Sequence, residues 1–252
     1  NLASSDLWMA DYPVGTVSTI VAEDTVVEAQ WAPDGQALAY ILATPTRYEL
    51  HWRTLDGEDR IIATDLAPTW SIAPTGDLVA FTRESGYELV GAPGLYVVPV
   101  TGGAEVKLAD VDRHGAGSID DRPQWSFDGK HVALGYFTEG TLPFGLVIAA
   151  SDGSSSHSVT YAPDVDADIA GGGVPMNVWW HPDGRSLVGL GGTVVTMGGP
   201  QDAVVFELDD SLSQIVSATS FGTVAAIIDW AIPGEAVWVL AESGELVALS
   251  LP

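Results

Sequence analysis

The chain has 252 residues, enough to bury a substantial core as one repeat domain or as two smaller ordinary ones. It carries 34 Asp and Glu against 9 Lys and Arg, and its formal charge of -25 repels phosphate backbones, which argues against nucleic acid as a ligand. Cysteine is absent, excluding disulfides, thiolate metal sites and cysteine nucleophiles; no stretch reaches the ~20 apolar residues of a membrane helix, so direct membrane insertion is not expected. The opening Asn1-Leu-Ala-Ser-Ser5 lacks a charged and apolar leader, so the expectation is a removed targeting segment or an excised domain.

In chain order the predicted elements are all strands. Leu7–Tyr12 and Val17–Ala22 come first, ahead of any repeat. Then a motif recurs: a tryptophan, a tight turn usually containing Pro and ending in Gly, and an apolar strand. Its copies are Trp31-Ala-Pro-Asp-Gly35, Trp70-Ser-Ile-Ala-Pro-Thr-Gly76, Trp125-Ser-Phe-Asp-Gly129, Trp180-His-Pro-Asp-Gly184 and Trp230-Ala-Ile-Pro-Gly234, spaced 39, 55, 55 and 50 residues apart. A period near fifty with a strand on either side of each turn means an array of small sheets, a β-propeller.

Apolar and β-branched runs bounded by Gly, Asp and Pro divide each period into strands. Blade one reads Val26–Trp31, Ala37–Leu42, Tyr48–Arg53 and Arg60–Thr64; blade two reads Ala67–Ile72, Leu78–Thr82, Leu95–Val100 and Glu105–Leu108. Blade three is expected at Arg122–Phe127, His131–Phe137, Leu146–Ala150 and His157–Tyr161, and blade four at Met176–His181, Ser186–Leu190, Val204–Leu208 and Gln214–Ala218. Blade five has Ala226–Ala231, Ala236–Ala241 and Glu245–Leu249, one strand short. The expected fold is therefore an all-β propeller of four-stranded antiparallel blades over residues 1–252 as a single domain. Blades fall at about 26–64, 67–108, 122–161, 176–218 and 226–251; five is the preferred number, with six as the alternative. An N-terminal strand from 7–22 is expected to close the ring, removing an exposed edge. The tryptophans read as wedges between neighbouring blades, and the Asp-Gly pairs as turn formers.

These residues resemble the WD40-like PD40 repeat of TolB-type propellers, whose core is Trp-Ser-Pro-Asp-Gly followed by a short apolar strand. The match is close at 31–35, 125–129 and 180–184 and looser at 70–76 and 230–234; Leu-Tyr-Val-Val-Pro-Val at 95–100 and Leu-Trp-Met-Ala-Asp at 7–11 look like the family's third strand. The resemblance spans nearly the whole chain. It implies the fold and a setting among periplasmic Tol-system proteins, peptidase propellers and secreted proteins, and it carries over no catalytic residue.

Candidate sites fall on the long connections, which gather on the face of the second-to-third and blade-to-blade links: Arg83–Gly94, Ala109–Asp121, Thr138–Gly145, Ala162–Pro175 and Gly191–Ala203. Long loops on one face of a rigid scaffold are where binding is built. Acids cluster there at Asp110, Asp112, Asp120 and Asp121, with His114 between them, and at Asp164, Asp166 and Asp168. The last three alternate as Ca²⁺ ligands can, although the Gly and distal Glu of an EF-hand are out of register, and no other cofactor is expected. Tyr87 and Phe144 are candidate apolar anchors. Asp229 and Asn177 fall on inner strands facing the channel, and Asp229 with Asp121 are the weak candidates for acid/base work. No Gly-x-Ser-x-Gly elbow occurs, and the five histidines form no close metal-binding pair.

The expectation is thus a non-catalytic, exported propeller (periplasmic, cell-surface or extracellular) binding a protein or peptide of basic character through its long-loop face, with a glycan as second choice. The competing readings are a five-bladed glycosidase-like hydrolase using channel carboxylates, and a structural domain of a larger secreted or cell-surface assembly.

Overall fold

The computed structural model describes residues 6–10, 15, 17–21, 25–84, 92–111, 122–137, 144–165, 175, 178–191, 201–241 and 243–252. The described elements are all strands, with no helix among them. β1 (Leu7–Ala10) and β2 (Val17–Val21) form a two-stranded sheet. Blade one is β3 (Val26–Trp31), β4 (Ala37–Ala43), β5 (Tyr48–Thr54) and β6 (Asp59–Thr64), antiparallel in that order. Blade two is β7 (Trp70–Ile72), β8 (Leu78–Arg83), β9 (Gly94–Pro99) and β10 (Val106–Ala109); blade three is β11 (Gln124–Trp125), β12 (His131–Phe137), β13 (Phe144–Ala150) and β14 (Ser156–Ser158). β15 (Thr160–Tyr161) then leaves blade three and joins blade four, β16 (Val178–Trp180), β17 (Ser186–Gly191), β18 (Gln201–Leu208) and β19 (Gln214–Val224). Blade five is β20 (Ala226–Ile232), β21 (Ala236–Leu240) and β22 (Leu246–Ser250).

The core is layered between sheets, which explains why the second strands read as unbroken apolar runs. In β4, Ala37, Ala39 and Ile41 pack against Trp70 and Phe81 of blade two, while Leu38, Tyr40 and Leu42 pack against Leu7, Ile20 and Val21 of the N-terminal sheet. Alternate residues point to opposite faces of a strand, so a sheet covered on both sides must be apolar at every position. The same layering continues between blades two and three, three and four, and four and five.

The repeat motif works locally and across blades. The turn glycines Gly35, Gly76, Gly129, Gly184 and Gly234 all have φ between +67° and +78°, where a Cβ is strained. The aspartates fasten the turns: Asp34 Oδ1 accepts the Gln36 N–H (2.9 Å), and Asp183 Oδ1 accepts those of Arg185 (2.7 Å) and Ser186 (2.9 Å). Trp125 Nε1–H donates back to the Ser71 carbonyl at 3.2 Å and Trp180 Nε1–H to that of Gln124 at 3.0 Å, each reaching the inner strand of the preceding blade. Trp70 and Trp180 are 0% and 2% exposed, as wedges should be. Trp31 is 53% exposed; among the described residues the sheet before it has two strands, β1 and β2.

An outer clamp joins blades one and two. Arg83, 8% exposed, donates to both Glu105 carboxylate oxygens (2.7 and 3.0 Å) and to the carbonyls of Thr64 (2.9 Å) and Asp65 (3.0 Å), and its guanidinium lies 4.6 Å from the Tyr96 ring centre. Burial disfavours its charge, but Glu105 outweighs that and holds the guanidinium pKa above its ordinary value.

Three strand expectations need correction. The N-terminal strand expected to complete blade five instead pairs within its own hairpin: β1 bonds to β2, and β22 is the outer strand of a three-stranded sheet among the described residues. The strand expected at His157–Tyr161 is broken at Val159, which turns into the core between blades three and four. Its N–H bonds Leu146 O (2.8 Å), and Thr160–Tyr161 then runs parallel to Gln214–Ile215. Finally, β19 runs to Val224 rather than Ala218; its Ser- and Thr-rich second half hides a strand whose exposed positions are polar.

Candidate functional site

The inner strands bring together residues that are far apart in the chain. Gln30 at the end of β3, Ser71 and Ile72 on β7, Pro74 in the following turn, and Arg122, Pro123, Gln124 and Trp125 leading into and along β11 line an open cleft of about 310 Å³. Trp125 and Trp180 point back to the preceding blade, and successive residues of a strand point to opposite sides. That signal was present in the sequence as polar residues directly preceding tryptophan, Gln30-Trp31 and Gln124-Trp125, although the motif reading treated only the tryptophans.

Across this wall Arg122 Nη1 meets Glu28 Oε1 at 2.6 Å, and the same oxygen accepts Gln30 Nε2–H at 3.2 Å. Ser71 Oγ–H donates to Pro123 O (2.5 Å), tying the inner strands of blades two and three together. Among the described residues the side-chain amide of Gln124 makes no hydrogen bond, its backbone carbonyl being the acceptor for Trp180. Sequence reasoning missed Glu28, Arg122 and both glutamines, since two repeats some ninety residues apart supply them.

The predicted site residues are placed as follows. Asp110 is exposed and ion-paired with Lys107 three residues earlier, and Asp164 is exposed in the turn after β15. Phe144 opens β13 opposite Phe137. Asp112, His114, Asp120, Asp121, Asp166, Asp168, Tyr87 and Asn177 lie outside the described residues. Among the described residues no group of three His, Asp or Glu side chains is disposed to hold a metal ion. Asp229 is exposed beside a bulge in β20, where its Oδ1 accepts the N–H of Trp230 at 2.7 Å.

Two other polar groupings are bonded mainly within themselves. On blade one, Tyr40 O–H donates to Asp59 Oδ2 (2.5 Å), Arg53 Nη1 lies 3.1 Å from the same oxygen, and His51 Nδ1 is 3.2 Å from Oδ1. Burial raises the Asp59 pKa, but these three partners together bring it below the ordinary value. In the β18–β19 turn, the hydroxyl of Ser211 and the N–H groups of Gln214 and Ser213 bring Asp209 down to about 2.

The chain is similar in structure to TolB from Acinetobacter baumannii, with a TM-score of 0.57 and 14% identity over 98% of this chain and 59% of that one. The fold is that of a TolB-like β-propeller. The propeller is also similar to the β-propeller domain of the trilobed protease from Pyrococcus furiosus (TM-score 0.58, 13% identity, 86% of this chain and 64% of that one). A third likeness is to oligogalacturonate lyase from Vibrio parahaemolyticus (TM-score 0.58, 15% identity, 97% of this chain and 71% of that one). The propeller thus spans less than two thirds of the TolB and protease chains. No protein-family model and no curated protein matches its sequence.

Proposed function

We propose that this propeller is a non-catalytic, exported binding or scaffold module that takes a protein or peptide of basic character on its acidic long-loop face. One observation carries the reading. Each of the eight described lysines and arginines is ion-paired: Arg47 with Glu49, Arg53 with Asp59, Arg60 with Glu58, Arg83 with Glu105, Lys107 with Asp110, Arg122 with Glu28, Lys130 with Asp128 and Arg185 with Asp210. The cations are spent on partners within the fold, so the -25 excess is carried by acids that no described cation neutralises. Such a field attracts a cationic partner and speeds its encounter. The fold alone does not choose the function, because similar propellers bear the names of a lyase and a protease. On the inner strands Glu28 is held by Arg122 and Asp229 by a backbone N–H, which favours binding over acid/base chemistry.

Calorimetric titration with lysine- and arginine-rich peptides across a salt series tests this. Affinity is expected to fall as salt rises, with a screening length of about 8–10 Å near physiological ionic strength. It should also fall when the aspartates at 110, 112, 120, 121, 164, 166 and 168 are replaced by alanine. Salt-insensitive binding that survives those replacements would refute the proposal.

A further inference from the structure

We propose that the cleft on the channel wall is a binding site for a neutral saccharide of one or two rings. It is independent of the partner proposed above. Charge excludes the other small-ligand classes first. Among the described residues Arg122 is the one cation lining the cleft, and Glu28 at 2.6 Å already neutralises it. An anionic ligand would have to displace that carboxylate in a chain of charge -25. A cationic ligand would find no free carboxylate among the described lining residues, Glu28 being already paired with Arg122. What fits is an uncharged molecule.

Hydrogen-bonding capacity then selects among uncharged molecules. Among the described residues the Gln124 amide, with two N–H donors and a carbonyl acceptor, has no partner; Gln30 spends its N–H₂ on Glu28 and on the Trp70 carbonyl (3.4 Å), leaving its own Oε1 without a described partner. The guanidinium N–H groups of Arg122 not facing Glu28 add further donors. A site that both donates and accepts through planar, forked groups matches hydroxyls, which do both, and pairs of neighbouring hydroxyls best. The rest of the wall is carbon: Ile72, Pro74, Pro123 and the ring of Trp125, whose Nε1–H is already given to Ser71 O. Apolar surface beside a few fixed polar groups is the usual make-up of a small-molecule site, and 310 Å³ sits at the small end of the roughly 300–1,000 Å³ such sites occupy. A sugar ring has both a carbon face and a hydroxyl edge.

The test is saturation-transfer NMR on the whole chain with cellobiose and maltose as neutral probes, galacturonate as the anionic probe and glucosamine as the cationic one. Transfer to a neutral disaccharide, and not to galacturonate or glucosamine, is expected. Gln124→Ala should weaken it about five- to tenfold, the loss of one or two neutral hydrogen bonds, while Asp164→Asn on the acidic turn leaves it unchanged. Glu28→Gln supplies a readout that a general loss of structure would not produce: it frees the Arg122 charge and should turn the preference towards galacturonate. Absence of transfer to both disaccharides, or galacturonate binding to the unaltered chain as well as they do, overturns the proposal. So does an equal effect of the Gln124 and Asp164 substitutions. Failure here leaves salt-dependent peptide binding untouched, so the two proposals fail separately.

Discussion

Trp180 and Trp31 occupy the same place in the repeat, and truncating each to alanine should have unequal consequences. Trp180 is 2% exposed, packed among Leu146, Ile148, Val178 and Leu187, and its Nε1–H satisfies the Gln124 carbonyl at 3.0 Å. A buried tryptophan removes about 150–250 Å² from water, which at about 25 cal/mol per Å² is roughly 4–6 kcal/mol. Extended-chain areas overstate the loss, and measured Trp→Ala changes in cores run at about 3–5 kcal/mol. About 4 kcal/mol is therefore expected for Trp180→Ala. Trp31 leaves 53% of its surface in water, so the same arithmetic gives roughly 2–3 kcal/mol at most. Urea denaturation followed by far-ultraviolet circular dichroism, comparing midpoints at unchanged slope, reads the difference directly. If Trp31→Ala proved as costly as Trp180→Ala, Trp31 would be covered by a full neighbouring blade. The account of the N-terminal sheet as two strands that leave the first wedge exposed would then be wrong.

Two further outcomes concern charge. Arg83→Met should lower the thermal midpoint by an amount equivalent to about 3–5 kcal/mol, because it strands Glu105 and two carbonyls at the joint between blades one and two; Arg83→Lys, unable to make the forked contact, should recover only part of this. For acid, Asp183 is lowered despite burial by the N–H groups of Arg185 and Ser186 and the Ser186 hydroxyl, and Asp209 is brought to about 2. A carboxyl whose folded pKa lies below its unfolded value stabilises the fold above the unfolded value, near ~3.9, and that contribution is lost as pH falls through the folded value. Asp183→Asn and Asp209→Asn should therefore lose stability at pH 6 and differ progressively less from the parent between about pH 4 and pH 2. Parallel denaturation curves at all pH values would contradict this.

How far the sequence could be read depended on the range of each interaction. The Asp-Gly turns at 34–35, 128–129 and 183–184 were legible because their hydrogen bonds close within a few residues and their positive φ demands glycine. Blade strands such as β4 and β8 were legible because burial on both faces makes them continuously apolar. The crossing at Val159 was not, since an apolar residue between two polar strands carries no mark of which sheet each side will join. The second half of β19 escaped because polar residues on an exposed sheet face look like a loop. Of the acidic residues singled out in the sequence, Asp110 and Asp164 are exposed. The channel cleft was invisible because Gln30, Ser71 and Arg122 come from three different repeats.

The sequence by itself determined the repeat, the location of the turns and the propeller architecture, all of which rest on local backbone geometry and on apolar periodicity. The fate of its charges was decided only in three dimensions. That Glu28 finds Arg122 across blades one and three, that Arg83 of blade two reaches the Thr64 and Asp65 carbonyls of blade one, and that Trp31 stays half exposed are consequences of which sheets become neighbours. Neighbourhood of this kind is a property of packing between strands tens of residues apart, and local composition does not encode it.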